Sequence, residues 1–177
     1  MKKIPVFITC AGIIIMFFSG AAFSRDFMNI LKFDKGEMFN DFSNASQALS
    51  KEHGKDGKVC MKITYNGKGW MGEMNPARKV WSDFSRVQFV IFNDSTSERE
   101  IRFTIKGAKE PPNAPENTSS TPLTIPPGES TQTVDLTKII CLDGKSPLDY
   151  SKIYIYAFSS RSEEPLTIYI SDFKLIK

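Results

Sequence analysis

Residues 80–107 read VWSDFSRVQFVIFNDSTSEREIRFTIKG, two apolar runs around a polar turn. Val87, Phe89 and Ile91 alternate with Gln88, Val90 and Phe92, and Ile101, Phe103 and Ile105 alternate with Arg102, Thr104 and Lys106. A period of two places each set on one face of an extended strand. Residues 93–97 (NDSTS) supply the turn, because short polar side chains bond their own backbone. The first run is apolar on both faces and predicts a strand covered on both. The second predicts one core face and one polar face. Elsewhere, Val59, Met61, Ile63 and Tyr65 alternate with Cys60, Lys62 and Thr64, and Ile153, Ile155 and Ala157 alternate with Tyr154, Tyr156 and Phe158. Residues 27–33, 123–125, 131–136 and 166–175 add further strand candidates. Residues 41–52 read either as a short strand around Phe42 or as a helical turn through Ala45 and Ala48. Glycine and proline clusters punctuate the chain at 54–57, 66–69, 111–115 and 126–128, and residues 70–80 read as a loop. No long helical period occurs. Seven to nine short strands predict an all-β domain, a two-sheet β-sandwich or jelly roll.

The first 24 residues stand apart. Lys2 and Lys3 precede an apolar run over residues 4–18, and small residues at 19–24 precede Arg25. That is the three-part pattern of a secretory signal peptide cut after Ser24. An uncleaved anchor is the alternative, but the run is shorter than the ~20 residues a spanning helix needs. The expected organisation is a signal peptide at 1–24 and one β-sandwich domain at 25–177. The domain is then exported, periplasmic or extracellular, with no membrane span after signal removal. Cleavage takes away two lysines and no acid, so a formal charge of +3 becomes +1. A near-neutral surface gives no electrostatic reason to expect nucleic acid as a partner. The mature chain keeps Cys60 and Cys141. Export permits a disulfide between them, and two small buried apolar side chains are the other reading.

Several stretches then fall in one order: Lys32-Phe33-Asp34, residues 58–65 followed by Trp70, Trp81-Ser82-Asp83-Phe84-Ser85 and Ile91-Phe92-Asn93-Asp94-Ser95. Residues 123–128 follow, then Val134-Asp135-Leu136 and the ending Tyr169-Ile170-Ser171-Asp172-Phe173-Lys174-Leu175. Together they resemble the galactose-binding-like jelly rolls found as carbohydrate-binding modules and as accessory domains of polysaccharide-degrading enzymes. The resemblance covers nearly all of the mature chain. It implies a two-sheet sandwich with one concave face, and a structural calcium site near the first and last strands. The matching positions are Asp34 and Asp172, with Glu37 and the backbone carbonyls of the Asp56-Gly57 turn. Calcium takes about six to eight oxygen ligands, so a few carboxylates with carbonyls and water suffice. The plain alternative is that these acids end strands and face water.

Sugar recognition uses aromatic faces against pyranose rings and polar groups against hydroxyls. If Ile153, Ile155 and Ala157 face the core, Tyr154, Tyr156 and Phe158 form an outward aromatic row. The same parity turns Lys62, Thr64, Arg102, Thr104 and Lys106 outward. If these strands share one sheet, the face suits a polysaccharide or oligosaccharide, including one bearing carboxylates or sulfates. The expected ligand-binding residues are Tyr154, Tyr156 and Arg102, with Trp70 at the rim. Trp81 reads as a core plug. His53 is the only histidine and lies in a charged turn, which argues against a nucleophilic triad and a histidine-rich metal site. The expected function is non-catalytic glycan binding. The alternative is a protein–protein module of an envelope or surface assembly, with the aromatic row as a hot-spot patch. Asn44, Asn93 and Asn117 are glycosylation acceptors by sequence only.

Overall fold

A computed structural model describes residues 26–107 and 114–177, so the expected signal peptide and Pro111 and Pro112 lie outside the described residues. Among the described residues the chain forms nine strands: β1 Phe27–Asn29, β2 Asp41–Ser50, β3 Cys60–Met74, β4 Arg86–Asn93, β5 Arg99–Gly107, β6 Thr118–Ile125, β7 Gly128–Asp135, β8 Ile153–Ser160 and β9 Leu166–Ile176. All pairings are antiparallel. Hydrogen bonds link them in the order β6-β5-β8-β3-β9-β4-β7, with β1 beside β9 and β2 beside β3. The ambiguous residues 41–52 are therefore mostly strand.

β3 turns this ribbon into a sandwich. Its residues 61–65 pair with β9, and its residues 69–74 pair with β8. The strand thus passes from one layer (β7, β4, β9) to the other (β8, β5, β6). The glycines at 67 and 69 do not end the strand, as the sequence suggests, but bend it. Gly67 has φ of +114°, and a Cβ on Gly69 would lie 2.7 Å from the Asn44 carbonyl oxygen. β2 stays paired on both sides of the bend, so Trp70 to Met74 are strand and not loop.

The core lies between the layers. Val87, Phe89 and Ile91 of β4, Ile101, Phe103 and Ile105 of β5, and Ile168 and Ile170 of β9 are fully buried. β4 is covered on both faces as its sequence predicts: Val90 is buried on the second face, and the His53 ring stacks on Phe92 at 3.6 Å. Phe89, Phe103, Phe158 and Phe173 pack at ring separations of 5.0–6.1 Å, within the range of favourable aromatic pairs. Trp81 is the expected core plug, its indole N–H donating to the Arg78 carbonyl at 2.9 Å.

Two further expectations need correction here. Tyr156 is fully buried, as is Phe158, so the outward row of three aromatics does not exist. The cause is a β-bulge. Lys106 pairs with Ile155, but Gly107 pairs with Ile153, leaving Tyr154 as an extra residue. One inserted residue reverses the parity of everything after it. Ile153 and Tyr156 both face the core, and Tyr154 and Ile155 share the opposite side. The second correction concerns the cysteines: no disulfide joins Cys60 and Cys141. The Cys60 thiol points instead at the Glu52 and Ser50 carbonyls, at 3.0 and 3.4 Å, and burial pushes its pKa up. Cys141 lies in the β7–β8 connection, bonded through its N–H to Ser146. Two of the three sequons are also withdrawn from solvent, since Asn93 and Asn117 are buried.

Candidate functional site

The outer face of the β3-β8-β5-β6 layer gathers three of the four residues expected to bind ligand. Trp70, Ser159 and Arg102 stand in register across β3, β8 and β5. Ser43 of β2 extends the row at one end and Pro122 of β6 at the other. The next row on this face is Asp41, Gly72, Ala157, Thr104 and Ser120, and the one beyond is Met74, Ile155, Lys106 and Thr118. The middle row is small by necessity at Gly72, where a Cβ would lie 2.3 Å from the Tyr156 carbonyl oxygen and 2.6 Å from the Ala157 Cβ. Trp70 and Arg102 rise in the row on one side of it, and Met74, Ile155 and Lys106 in the row on the other. From strand geometry these flanking rows stand ~13 Å apart and the middle row runs ~19 Å across five strands. Tyr154, half-buried on the bulge, lies at the edge beside Ile155.

Arg102 is the polar group aimed at this surface. Its side chain is 27% exposed, and its Nε is buried without a hydrogen-bond partner. Glu100 Oε1 pairs with it electrostatically at 3.7 Å, too long for a hydrogen bond. Trp70 offers an aromatic surface one strand-pair away, ~10 Å.

Lys62 and Thr64, expected on the same face, lie on the opposite layer, where β3 pairs with β9. Lys62 Nζ sits 5.2 Å above the Tyr169 ring and 3.6 Å from Glu52. The Tyr169 hydroxyl donates to Glu52, and the His53 ring meets Tyr169 edge-on at 4.7 Å. The basic face is therefore divided between two surfaces, because β3 changes sheets at its bend.

A cluster that the sequence does not single out lies at the sandwich edge. Arg78 grips Glu37 through two bonds of 2.9 and 3.0 Å and donates to the Ile30 carbonyl. The Tyr156 hydroxyl donates to Glu73 at 3.2 Å. The bond from Arg78 holds the Glu37 carboxyl below its ordinary range, whereas burial, with the Glu37 charge adding to it, raises Glu73. Both Glu37 oxygens are engaged, so the pair ties the first turn to the β3–β4 connection. The two acids act on opposite sides of their ordinary value near 4.5. Glu37 contributes stability that is present above that value and lost as pH falls through its lowered pKa. Glu73 contributes stability present below 4.5 and lost as pH rises through its raised pKa. Glu73→Gln is therefore expected to flatten the decline of stability above pH 4.5 and to be no less stable than the parent at pH 7. Urea denaturation across that window checks it, and an unchanged slope refutes it.

Asp34 and Asp172 do line one cleft, of about 70 Å³, together with Asn29, Ser171 and the lysines Lys32, Lys55 and Lys58. Asp172 projects from a bulge in β9, where Gln88 pairs with Lys174 but Val90 with Ser171. Its φ of +51° turns its side chain off the strand.

No protein-family model matches this chain, and no curated protein matches it. Solved structures do. CtCBM11, studied in solution for its dynamics and binding, is 19% identical over 88% of this chain and 97% of its own, with a TM-score of 0.67. The family 11 carbohydrate-binding module of Clostridium thermocellum, solved with a β-1,3-1,4-mixed-linked tetrasaccharide, is 19% identical over 77% of this chain and 84% of its own, at 0.60. An exo-β-agarase matches at 0.65 and 14% identity, over 84% of this chain but only 24% of the enzyme. The chain thus has the β-sandwich fold of carbohydrate-binding modules, the fold its sequence resembles.

Proposed function

We propose that this chain is an exported, non-catalytic domain that binds a polysaccharide or oligosaccharide on the outer face of the β3-β8-β5-β6 layer. The observation that carries the reading is the register of Trp70, Ser159 and Arg102 beside a row of small residues. Trp70 stacks on the apolar face of a pyranose. Arg102 donates to hydroxyls, or to a carboxylate or sulfate where the glycan carries one. Tyr154 borders the far end. The module in complex with a mixed-linked tetrasaccharide supports the ligand class, and the pattern of residues 1–24 supports export.

Affinity electrophoresis of the purified protein tests the proposal. The gels carry mixed-linkage β-glucan, xyloglucan, agarose, polygalacturonate or a sulfated galactan. Retardation by at least one is expected, and migration unaffected by any of them, at millimolar sugar equivalents, overturns it.

A further inference from the structure

Each carboxylate that the resemblance assigns to calcium is placed here beside a side-chain cation or in water. Asp172 Oδ2 lies 3.6 Å from Lys55 Nζ. Glu37 is held by both guanidinium nitrogens of Arg78, and one of its oxygens also accepts from the Lys32 N–H at 2.8 Å. Asp34 is exposed. Asp56 and Gly57, whose carbonyls the resemblance adds, do not line the cleft, whereas Lys32, Lys55 and Lys58 do. Three lysines against two aspartates leave the cleft with an excess of positive charge. Among the described residues no three His, Cys, Asp or Glu side chains converge to hold a metal ion. Calcium takes about six to eight oxygens and is drawn by their negative charge. Here the two carboxylates, Asp34 and Asp172, are outnumbered by Lys32, Lys55 and Lys58, which oppose a further cation.

We infer that the Lys55 ammonium is the resident cation of the β9 bulge and that this chain takes no calcium there. Lys55 opens the short 3-10 turn Lys55–Gly57, which Gly57 and Lys58 close through N–H bonds to the Gly54 and Lys55 carbonyls. The pair with Asp172 therefore joins the β2–β3 connection to the last strand, the kind of cross-link a bound ion would supply. The resemblance alone points to the opposite result.

Thermal unfolding in EDTA and in millimolar calcium, with the parent and two variants, tests this. The parent midpoints should agree within about 1 °C, since an ion that binds only the folded state raises the midpoint by several degrees. Lys55→Asp places a third carboxylate beside Asp34 and Asp172. Calcium should then raise the midpoint by about 5 °C. Lys55→Asn, a milder change, should show a smaller rise of the same sign and serves where the aspartate variant fails to fold. A calcium-raised midpoint in the parent overturns the inference. So does the lack of a calcium response in every folded variant, because Lys55 is then not what stands in the cation's place.

Discussion

Trp70→Ala is expected to weaken glycan binding about 30-fold while leaving the protein folded. The magnitude is that of a central aromatic anchor, about 2 kcal/mol. The fold survives because Trp70 sits on the outer face, half-buried, outside the core cluster. Arg102→Ala should cost less with a neutral glycan, about 1 kcal/mol for a hydrogen bond. It should cost more with an acidic one, and that excess should shrink as salt is raised. Lys62→Ala is the control. Its ammonium lies over Tyr169 on the other layer, so it should leave affinity unchanged. Calorimetry on the retained polysaccharide reads all three. Equal affinity for the parent and Trp70→Ala would remove this face from consideration, and a loss with Lys62→Ala would move the site to the opposite layer.

What the sequence made legible follows from periodicity. β4 and β5 could be placed from alternation alone, down to the covering of β4 on both faces, and Trp81 was legible as a core residue from its place before a buried strand. Alternation fails where a strand changes its partner or its parity. The Asn66-Gly67-Lys68-Gly69 stretch carries the same residues that end a strand, and only pairing with β2 shows that it bends one. Residues 70–74 (WMGEM) mix apolar and polar side chains at both parities, so they carry no strand signal of their own. The bulge in β8 left no mark either, because Tyr154 is an ordinary strand residue. Its role is set by Gly107 pairing with Ile153 across the sheet. Lys55 and Asp172 are likewise brought together by topology and not by local pattern. The Arg78–Glu37 grip spans 41 residues, a distance at which charge pairing cannot be read from sequence.

The bulge makes the second large prediction, a contrast between two tyrosines separated by one residue. Tyr156→Ala is expected to cost about 3–5 kcal/mol, the range for truncating a buried aromatic. Its ring packs against Trp81 at 5.6 Å and Phe173 at 5.5 Å. Its loss also takes away the hydroxyl that donates to Glu73. For a domain of this size the midpoint should fall by about 10 °C. Tyr156→Phe keeps the ring and should cost only about 1 kcal/mol, the worth of one hydrogen bond. Tyr154→Ala should stay within about 1 kcal/mol, because its side chain lies outside the core cluster. Urea denaturation of the three variants, with slopes compared as well as midpoints, distinguishes packing loss from a change in the unfolded state. If Tyr154→Ala were the costly change and Tyr156→Ala the mild one, the inserted residue would lie elsewhere in β8. Tyr156 would then return to the outer face, where it would extend the aromatic surface beyond Trp70, and the glycan surface would have to be redrawn around it.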